Sequence, residues 1–182
     1  MRKVVAGLFI SLDGVVESPE KWGFQYANEE MWKGIVAGVA LADAVLLGRR
    51  TYQSFVKVWP SQSSEVPMAD FLNNSPKYVV SAAPVALEWA NSSRITGDLA
   101  EALTKLKEKP GKNIQIPGSP RLVRSLLNDG LLDELSLSVC PIVVGSGLRL
   151  FDEMTHQVRL KLVESTTFST GAFGVTYRPE NA

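Results

Sequence analysis

Short apolar runs alternate with helix-like segments from the N-terminus to Leu131, and this alternation limits which folds the chain can adopt. The first run, Val4 to Ser11, has the length and composition of a strand buried on both faces, and it ends before Asp13-Gly14. Strands that alternate with helices favour an α/β sheet with mostly parallel strands. Four further strand-like runs fit this pattern: Ala44 to Leu47, Lys77 to Ser81, Arg94 to Ile95 and Asn113 to Ile116.

The segments between these runs carry helix-start signals. Asn28 can cap a helix whose first turn holds Glu29 and Glu30, because negative charge is favourable at a helix N-terminus. The apolar stripe expected on this helix consists of Trp32, Ile35, Val36 and Val39. Further helices are predicted to start at Gly48, at the capping residue Asp98 and at Ser119-Pro120.

The pattern changes after Leu131. Three strand-like runs follow, Glu134 to Val144, Leu160 to Phe168 and Ala172 to Tyr177, and Ser169-Thr170-Gly171 joins the last two as a tight turn. We therefore predict an α/β fold with a mixed, mostly parallel central sheet and an antiparallel C-terminal hairpin. No linker or repeat divides the chain, so residues 1–182 are expected to form a single domain.

Composition excludes several functional classes. Lys and Arg together number 19, as do Asp and Glu, so the chain lacks the positive charge that binding to a phosphate backbone requires. The chain has one cysteine, Cys140, and one histidine, His156, so it cannot form an internal disulfide or a His/Cys zinc cluster. An all-oxygen metal site is the alternative, but no motif points to one, so no metal is expected. No apolar stretch reaches the roughly 20 residues of a membrane span. We expect a cytoplasmic protein with no nucleic-acid or membrane partner.

A glycine and three donor side chains, Gly48-Arg49-Arg50-Thr51, follow the second strand directly. A glycine at a strand end lets a ligand approach the backbone, and arginine and hydroxyl donors suit a phosphate. A second turn of this kind lies in Ile116-Pro117-Gly118-Ser119-Pro120-Arg121-Leu122. If the two strands are neighbours, the turns form one crevice for a nucleotide. The alternative is two solvated arginines and an ordinary turn.

Carboxylates are the candidates for proton transfer. Asp13 ends the first strand and could orient a substrate or relay a proton, with Trp22 within reach. It could equally form only an Asx turn with Gly14. Glu29 has a similar alternative, because the helix dipole favours an acid there whether or not it is catalytic. Cys140 fits a buried small hydrophobe better than a nucleophile, and His156 fits the surface.

These motifs resemble the dihydrofolate-reductase-like fold, in the branch related to the reductase domain of bacterial riboflavin biosynthesis. The resemblance spans nearly the whole chain, and it rests on the order and spacing of the motifs taken together. The matching segments are Ser11 to Gly14, Ala42 to Tyr52, Ile114 to Leu122, Gly130 to Leu135 and Pro141 to Phe151.

The resemblance implies a three-layer α/β/α fold and NADPH as cofactor. It implies that Gly48, Arg49, Arg50 and Thr51 hold the cofactor's phosphates, with Arg49 at the 2′-phosphate, and that Ser81 contacts the adenosine end. Gly118, Ser119, Arg121 and Leu122 resemble the turn and helix start at the pyrophosphate. Ala6 and Val16 would line the nicotinamide, Trp22 would contact substrate, and Asp13 or Glu29 would be catalytic. Pro117 departs from the family's usual pair of glycines.

The function implied is an NADPH-dependent reductase that transfers a hydride to a small heterocyclic substrate, pterin- or pyrimidine-like. The alternative is a catalytically inactive nucleotide- or pterin-binding protein on the same fold, which Pro117 motivates. The resemblance also implies a homodimer, with the apolar segment Pro141 to Phe151 at an interface. Ordinary core packing would explain that segment as well.

Overall fold

Eight strands form one sheet in the computed structural model, which describes residues 1–180. The strands are β1 (Val4–Ser11), β2 (Ala42–Gly48), β3 (Lys77–Val80), β4 (Ser92–Ile95), β5 (Asn113–Pro117), β6 (Glu134–Cys140), β7 (Leu160–Thr167) and β8 (Phe173–Pro179). Their order across the sheet is β4-β3-β2-β5-β1-β6-β8-β7. All neighbours are parallel except β8, which is antiparallel to both β6 and β7. The predicted mixed sheet and C-terminal hairpin are confirmed.

Five α-helices connect these strands: α1 (Glu29–Val39), α2 (Arg49–Phe55), α3 (Ala69–Asn74), α4 (Leu99–Glu108) and α5 (Pro120–Asn128). Short 3-10 turns lie at Pro19–Lys21, Phe24–Tyr26 and Trp59–Ser61. The predicted caps of α1 and α4 form, because Asn28 accepts from the Met31 N–H and Asp98 accepts from the Glu101 N–H. No helix within residues 1–180 is long and apolar enough to cross a membrane.

One face of the sheet, called here the core face, is covered by α4 and α5. Strand residues such as Ala6, Leu8 and Ile116 pack there against Leu103 of α4 and Leu126 of α5, and all five side chains are buried. Alternate residues of a strand point to opposite faces, so the core face takes every second side chain of the central strands. This face holds the main hydrophobic core.

The opposite face, called here the open face, is covered unevenly. A second cluster closes it over β2 and β3, where Val45 and Val79 pack against Tyr52 of α2 and Leu72 of α3. Over β5, β1 and β6 it is left open beside α1. The stripe expected on α1 is only partly right: Val39 is buried, but Val36 is 42% exposed. Trp32, Ile35 and Val39 line the cleft that α1 borders, whereas Val36 is not part of the cleft lining and is exposed to solvent.

Strand β6 is shorter than its sequence predicts. The run Glu134 to Val144 was expected to be a strand, but pairing ends at Cys140 because Pro141 has no N–H to continue the ladder. The following segment crosses back as a loop, in which Leu12 donates to the carbonyl of Ile142. The outer strand β7 carries a bulge between Leu162 and Glu164, where its register against β8 shifts.

Helix α3 has no counterpart in the sequence-based expectation, and a buried lysine holds its end. Lys77 is fully buried, and its Nζ donates to the carbonyls of Leu72, Asn73 and Ser75 at the end of α3. The ammonium also lies 4.6 Å from the ring centroid of Trp89. Burial lowers the pKa of Lys77 to about 8.

Candidate active site

The two glycine-bearing turns lie in contact at the carboxyl ends of β2 and β5, which are neighbours in the sheet. The N–H of Gly48 donates to Oγ of Ser119 across 3.0 Å. A Cβ on Gly48 would lie 3.6 Å from the Cβ of Leu122, and one on Gly118 would lie 3.7 Å from Cγ2 of Thr51. Both distances are ordinary van der Waals contacts, so the two turns pack against each other, and the absence of side chains at Gly48 and Gly118 leaves their backbones accessible.

Ser119 directly precedes α5, but its side chain does not cap this helix. It has a left-handed backbone, with φ of 53° and ψ of 52°, and it makes no side-chain cap bond to α5. Its hydroxyl is instead used to bridge to Gly48. The start of α5 thus keeps N–H groups free for an anion, which is the usual basis of phosphate binding at a helix N-terminus.

The two prolines of the second turn are accommodated without loss of its backbone pairing. Pro117 lies opposite Gly7 in the register of β5 and β1, and the next residue, Gly118, donates its N–H to the carbonyl of Gly7 across 3.1 Å. Gly118 has a φ of +80°, a conformation that favours glycine. Pro120 occupies the first turn of α5, where a helix needs no N–H. The turn therefore keeps its form despite Pro117.

A cleft of about 1850 Å³ runs from these turns over the open face to α1 and β8. Typical small-molecule pockets measure about 300–1,000 Å³, so the cleft has room for two ligands side by side. Of the residues predicted to bind a cofactor, those that line the cleft are Val16, Gly48, Arg49, Arg50, Thr51, Gly118, Ser119, Arg121 and Leu122.

Five predicted site residues lie outside the cleft lining: Ala6, Asp13, Trp22, Glu29 and Ser81. Ala6 points into the core face and is fully buried, so its neighbour Gly7 takes the place expected for it. The hydroxyl of Ser81 donates to the carbonyl of Ala83 across 2.6 Å, and Val80 lines the cleft instead. For Ala6 and Ser81, the residue next to the predicted one therefore lines the cleft.

The carboxylate of Asp13 holds the loop that follows β6. It accepts from Oγ of Ser11 at 2.6 Å and from the N–H groups of Val144 and Gly145 at 3.0 and 2.8 Å, and Arg149 lies at 3.4 Å. The hydrogen bond from Ser11, with those from the loop backbone, holds the pKa of Asp13 well below its usual range. This geometry fits a structural anchor and argues against a proton donor.

The side chains of Trp22 and Glu29 also interact with other residues of the chain and not with the cleft. Trp22 is buried against Val15 and Cys140, and its indole N–H donates to the carbonyl of Glu17. Glu29 is exposed and pairs with Lys33 one helical turn away. Burial raises the pKa of the Cys140 thiol to about 11, so it is protonated at neutral pH.

The floor of the cleft contains residues that sequence reasoning missed. Gly7 and Phe9 of β1, Gln115 of β5, and Ser136 and Ser138 of β6 all line it. A signal for Gln115 was present, because it is a polar residue between two isoleucines, Ile114 and Ile116. Which side chains face the cleft depends on the register of each strand in the sheet, and a short apolar run does not reveal that register.

Aromatic side chains form one wall of the cleft. The rings of Phe9, Phe24 and Trp32 all line it and contact one another with centroids 5.2–5.9 Å apart in tilted or edge-on arrangements. Such a wall offers an apolar, ring-shaped surface to a flat ligand.

Residues 2–173 match the RibD C-terminal domain family. The chain belongs to this family. Members of the RibD C-terminal domain family include reductases, and the sheet order and C-terminal hairpin of this chain agree with their fold.

Three individual proteins illustrate the relationship. The uncharacterised protein YyaP of Bacillus subtilis is 27% identical over 179 residues, which cover 97% of this chain and 94% of YyaP. A protein from Shewanella sp. PV-4, provisionally named a riboflavin biosynthesis protein, has a crystal structure that superposes with a TM-score of 0.80 at 19% identity. The match covers 98% of this chain and 99% of the Shewanella chain. Dihydrofolate reductase from Enterococcus faecalis, complexed with NADP(H), superposes with a TM-score of 0.59 at 14% identity, covering 98% and 96%. The dihydrofolate-reductase-like fold is confirmed.

Proposed function

We propose that this chain is an NADPH-dependent reductase that transfers a hydride to a small heterocyclic substrate of pterin or pyrimidine type. The observation that carries the proposal is the pair of turns joined by Ser119 and Gly48 at one end of neighbouring parallel strands. Ligands of open α/β sheets bind at such strand ends. The similar enterococcal reductase is complexed with NADP(H), which supports the same cofactor here.

The cofactor's charged groups would bind at these turns. The pyrophosphate would meet Gly118, Ser119 and the N–H groups at the start of α5, while Arg50 and Thr51 add donors from the other turn. Arg49 is exposed at the cleft edge and would pair with the 2′-phosphate. This arrangement predicts a preference for NADPH over NADH.

The chemistry needs a hydride, a proton and the exclusion of water. A bound NADPH would supply the hydride that a carbon of the substrate's C=N or C=O group accepts, and it would be oxidised to NADP⁺. The aromatic wall of Phe9, Phe24 and Trp32 shields the reacting faces from water. The carboxylates that line the cleft within residues 1–180, Glu17, Glu20 and Glu164, all occupy exposed positions. None of these carboxylates is buried against the aromatic wall, so we assign the proton for the substrate's nitrogen or oxygen to solvent that enters the cleft.

Calorimetric titration with NADPH and, separately, NADH tests this proposal. We expect micromolar binding of NADPH and much weaker binding of NADH. NADPH oxidation is then followed at 340 nm with a panel of reducible pterins and pyrimidines, against a control that lacks protein. Absence of binding by either nucleotide would overturn the proposal. Binding without turnover of any acceptor would favour a binding protein on the same fold.

A homodimer is a further part of the proposal. In the segment Pro141 to Phe151, the side chains of Val143 and Phe151 are 68% and 44% exposed, so core packing does not account for them. Core packing does account for Ile142, Val144 and Leu150 of this segment, so only the two exposed apolar side chains favour a contact surface. Size-exclusion chromatography with light scattering should give twice the chain mass of 19.9 kDa. A monomer mass at micromolar concentration would remove the dimer.

A further inference from the structure

The carboxamide of Gln115 has no protein partner within residues 1–180, although its side chain is only 7% exposed. Neither of its polar atoms is sealed inside the protein, because both are open to the cleft. The rest of the residue is enclosed, so the carboxamide can form hydrogen bonds with whatever occupies the cleft. An unpaired amide on the floor of a large cleft therefore points to a ligand that pairs with it.

The position of Gly7 shows where this amide is directed. A Cβ on Gly7 would lie 3.1 Å from Nε2 of Gln115, so the carboxamide leans over the bare backbone of Gly7. Gly7 is paired with Ser136 of β6 on its other side. The amide thus extends across β1 toward β6, away from the turn at Gly48 where the cofactor's phosphates are proposed to bind.

The residues of the cleft floor around the Gln115 amide have small side chains or none. Gly7, Ser136, Ser138 and Gly174 lie side by side on β1, β6 and β8, and all of them line the cleft. The hydroxyl of Ser136 is already paired with that of Thr176 at 3.0 Å. Small side chains let a planar ring come close to the sheet, and the aromatic wall bounds it on one side.

We propose that Gln115 orients the substrate by pairing with a cyclic-amide edge of its ring, a proposal that rests on the reductase function above. A carboxamide presents one acceptor and two donor hydrogens in one plane. A ring N–H would donate to Oε1, while the adjacent ring carbonyl would accept from Nε2. Gln115 is thus a specificity-determining residue that selects heterocycles with an N–H next to a C=O, and Gly7 leaves room for the amide to do so.

A pair of fluorescent ligands tests this selection directly. Lumazine carries N–H groups beside its ring carbonyls, whereas 1,3-dimethyllumazine has the same ring system with both of those N–H groups methylated. Each is titrated into protein saturated with NADP⁺ and into protein without nucleotide. The variants are Gln115→Leu, Gly7→Ala and, as a matched control, Gln157→Leu, which changes an exposed glutamine outside the cleft lining. Thermal melts show that each variant is folded.

The wild type should bind lumazine about tenfold to hundredfold more tightly than the dimethyl analogue, the range expected for two hydrogen bonds. Gln115→Leu should abolish this preference and leave NADP⁺ affinity unchanged, while Gln157→Leu should change neither. Gly7→Ala should weaken lumazine binding by displacing the amide, and it keeps the test available if Gln115→Leu does not fold. The proposal is overturned by no binding of lumazine, by equal binding of the two ligands to wild type, or by a preference that survives in Gln115→Leu.

The same titrations separate this proposal from the reductase function. If NADP⁺ and NADPH do not bind but the lumazine preference persists without nucleotide and is lost in Gln115→Leu, the reductase function fails and the role of Gln115 as a ligand anchor stands. If NADPH binds but the lumazine preference is absent, the reductase function stands and the role of Gln115 fails. A loss of NADP⁺ affinity in Gln115→Leu with the lumazine preference intact would place the amide at the cofactor and overturn the proposal.

Discussion

The two faces of the central sheet are built from alternating residues of the same strands, yet they differ in almost every property. On β1, Ala6 and Leu8 are buried in the core face, while Gly7 and Phe9 line the cleft on the open face. On β6, Leu137 lies in the core and Ser138 lies in the cleft floor. The core face is filled with apolar side chains, whereas the open face leaves glycines, serines and the ring of Phe9 accessible in the cleft.

This difference separates stability from ligand binding within single strands. Burial of apolar side chains supplies most of the free energy of folding, so the core face is expected to dominate the stability of the protein. The cleft floor buries less apolar surface and keeps polar atoms free, which costs stability but prepares a site for a ligand. Substitutions on neighbouring residues should therefore have effects of different kinds.

The largest contrast is expected between Leu135 and Ser138 of β6. Leu135 is fully buried, so Leu135→Ala should lower the free energy of unfolding by about 2–5 kcal/mol through lost burial and the cavity left behind. Ser138→Ala removes a partly buried hydroxyl on the open face and should change it by less than about 0.5 kcal/mol. Urea unfolding followed by circular dichroism measures both. Similar losses in the two variants would remove the distinction between the faces.

Arg49 should show the reverse behaviour, with an effect on binding and little on stability. Because Arg49 is exposed at the cleft edge, Arg49→Ala should leave the melting temperature nearly unchanged. It should weaken the binding of NADPH by about 1.5–3 kcal/mol, which is the free energy of a charge-assisted contact, and it should weaken the binding of NADH much less. Calorimetry with both nucleotides measures this, with Arg159→Ala as an exposed control. Equal losses for NADPH and NADH would contradict the assignment of Arg49 to the 2′-phosphate.

Lys77 extends the comparison between the two faces, because it carries a charge that is buried within the sheet and away from the cleft. Lys77→Met should lower the free energy of unfolding by about 1–3 kcal/mol, since the carbonyls at the end of α3 lose their donor. The pKa of Lys77 is about 8 in the folded chain against 10.5 for a free lysine, so between these values the unfolded chain binds more protons. The stability difference between wild type and Lys77→Met should therefore grow as the pH rises from 8 to 10.5.

Guanidinium unfolding at pH 7, 8, 9 and 10 follows this difference. A difference that stays constant or shrinks over that range would show that the ammonium keeps its proton in the folded chain.

The smallest effect is expected at Asp13, which anchors the loop beside the cleft. Asp13→Asn should destabilise the chain at neutral pH, because the asparagine lacks the charge that Val144, Gly145 and Arg149 bind. The folded pKa of Asp13 lies below its unfolded value, so the carboxylate contributes stability above about pH 4 that is lost as the pH falls further. Melting temperatures of the two proteins should therefore converge below pH 4. A gap independent of pH would assign the effect to shape rather than charge.

Sequence patterns predicted the strands, the helix caps at Asn28 and Asp98, and the two turns that meet at the cleft. These features depend on residues close together in the chain, so local propensities and capping signals are sufficient. The pairing of the turns followed from the rule that parallel strands end at the same edge, and the bond between Gly48 and Ser119 bears out their contact.

The cleft floor could not be predicted in the same way. A run such as Val4 to Ser11 is apolar on both faces, so its pattern does not show that Gly7 rather than Ala6 faces the ligand. The roles of Asp13 and Ser119 depend on partners more than 70 residues away in the chain, Val144 and Gly48, which no local signal contains. Long-range register and partner choice are properties of the folded sheet.

The bulge in β7 has a consequence for the behaviour of the protein at high concentration. As the last strand of the sheet, β7 presents an edge of unpaired backbone groups, and Leu162 and Val163 are 50% and 44% exposed there. A regular, apolar edge of this kind is a template for strand addition and aggregation. The shift between Leu162 and Glu164 interrupts that template, and the adjacent charges of Lys161 and Glu164 oppose its extension. The irregularity thus protects the solubility of the chain.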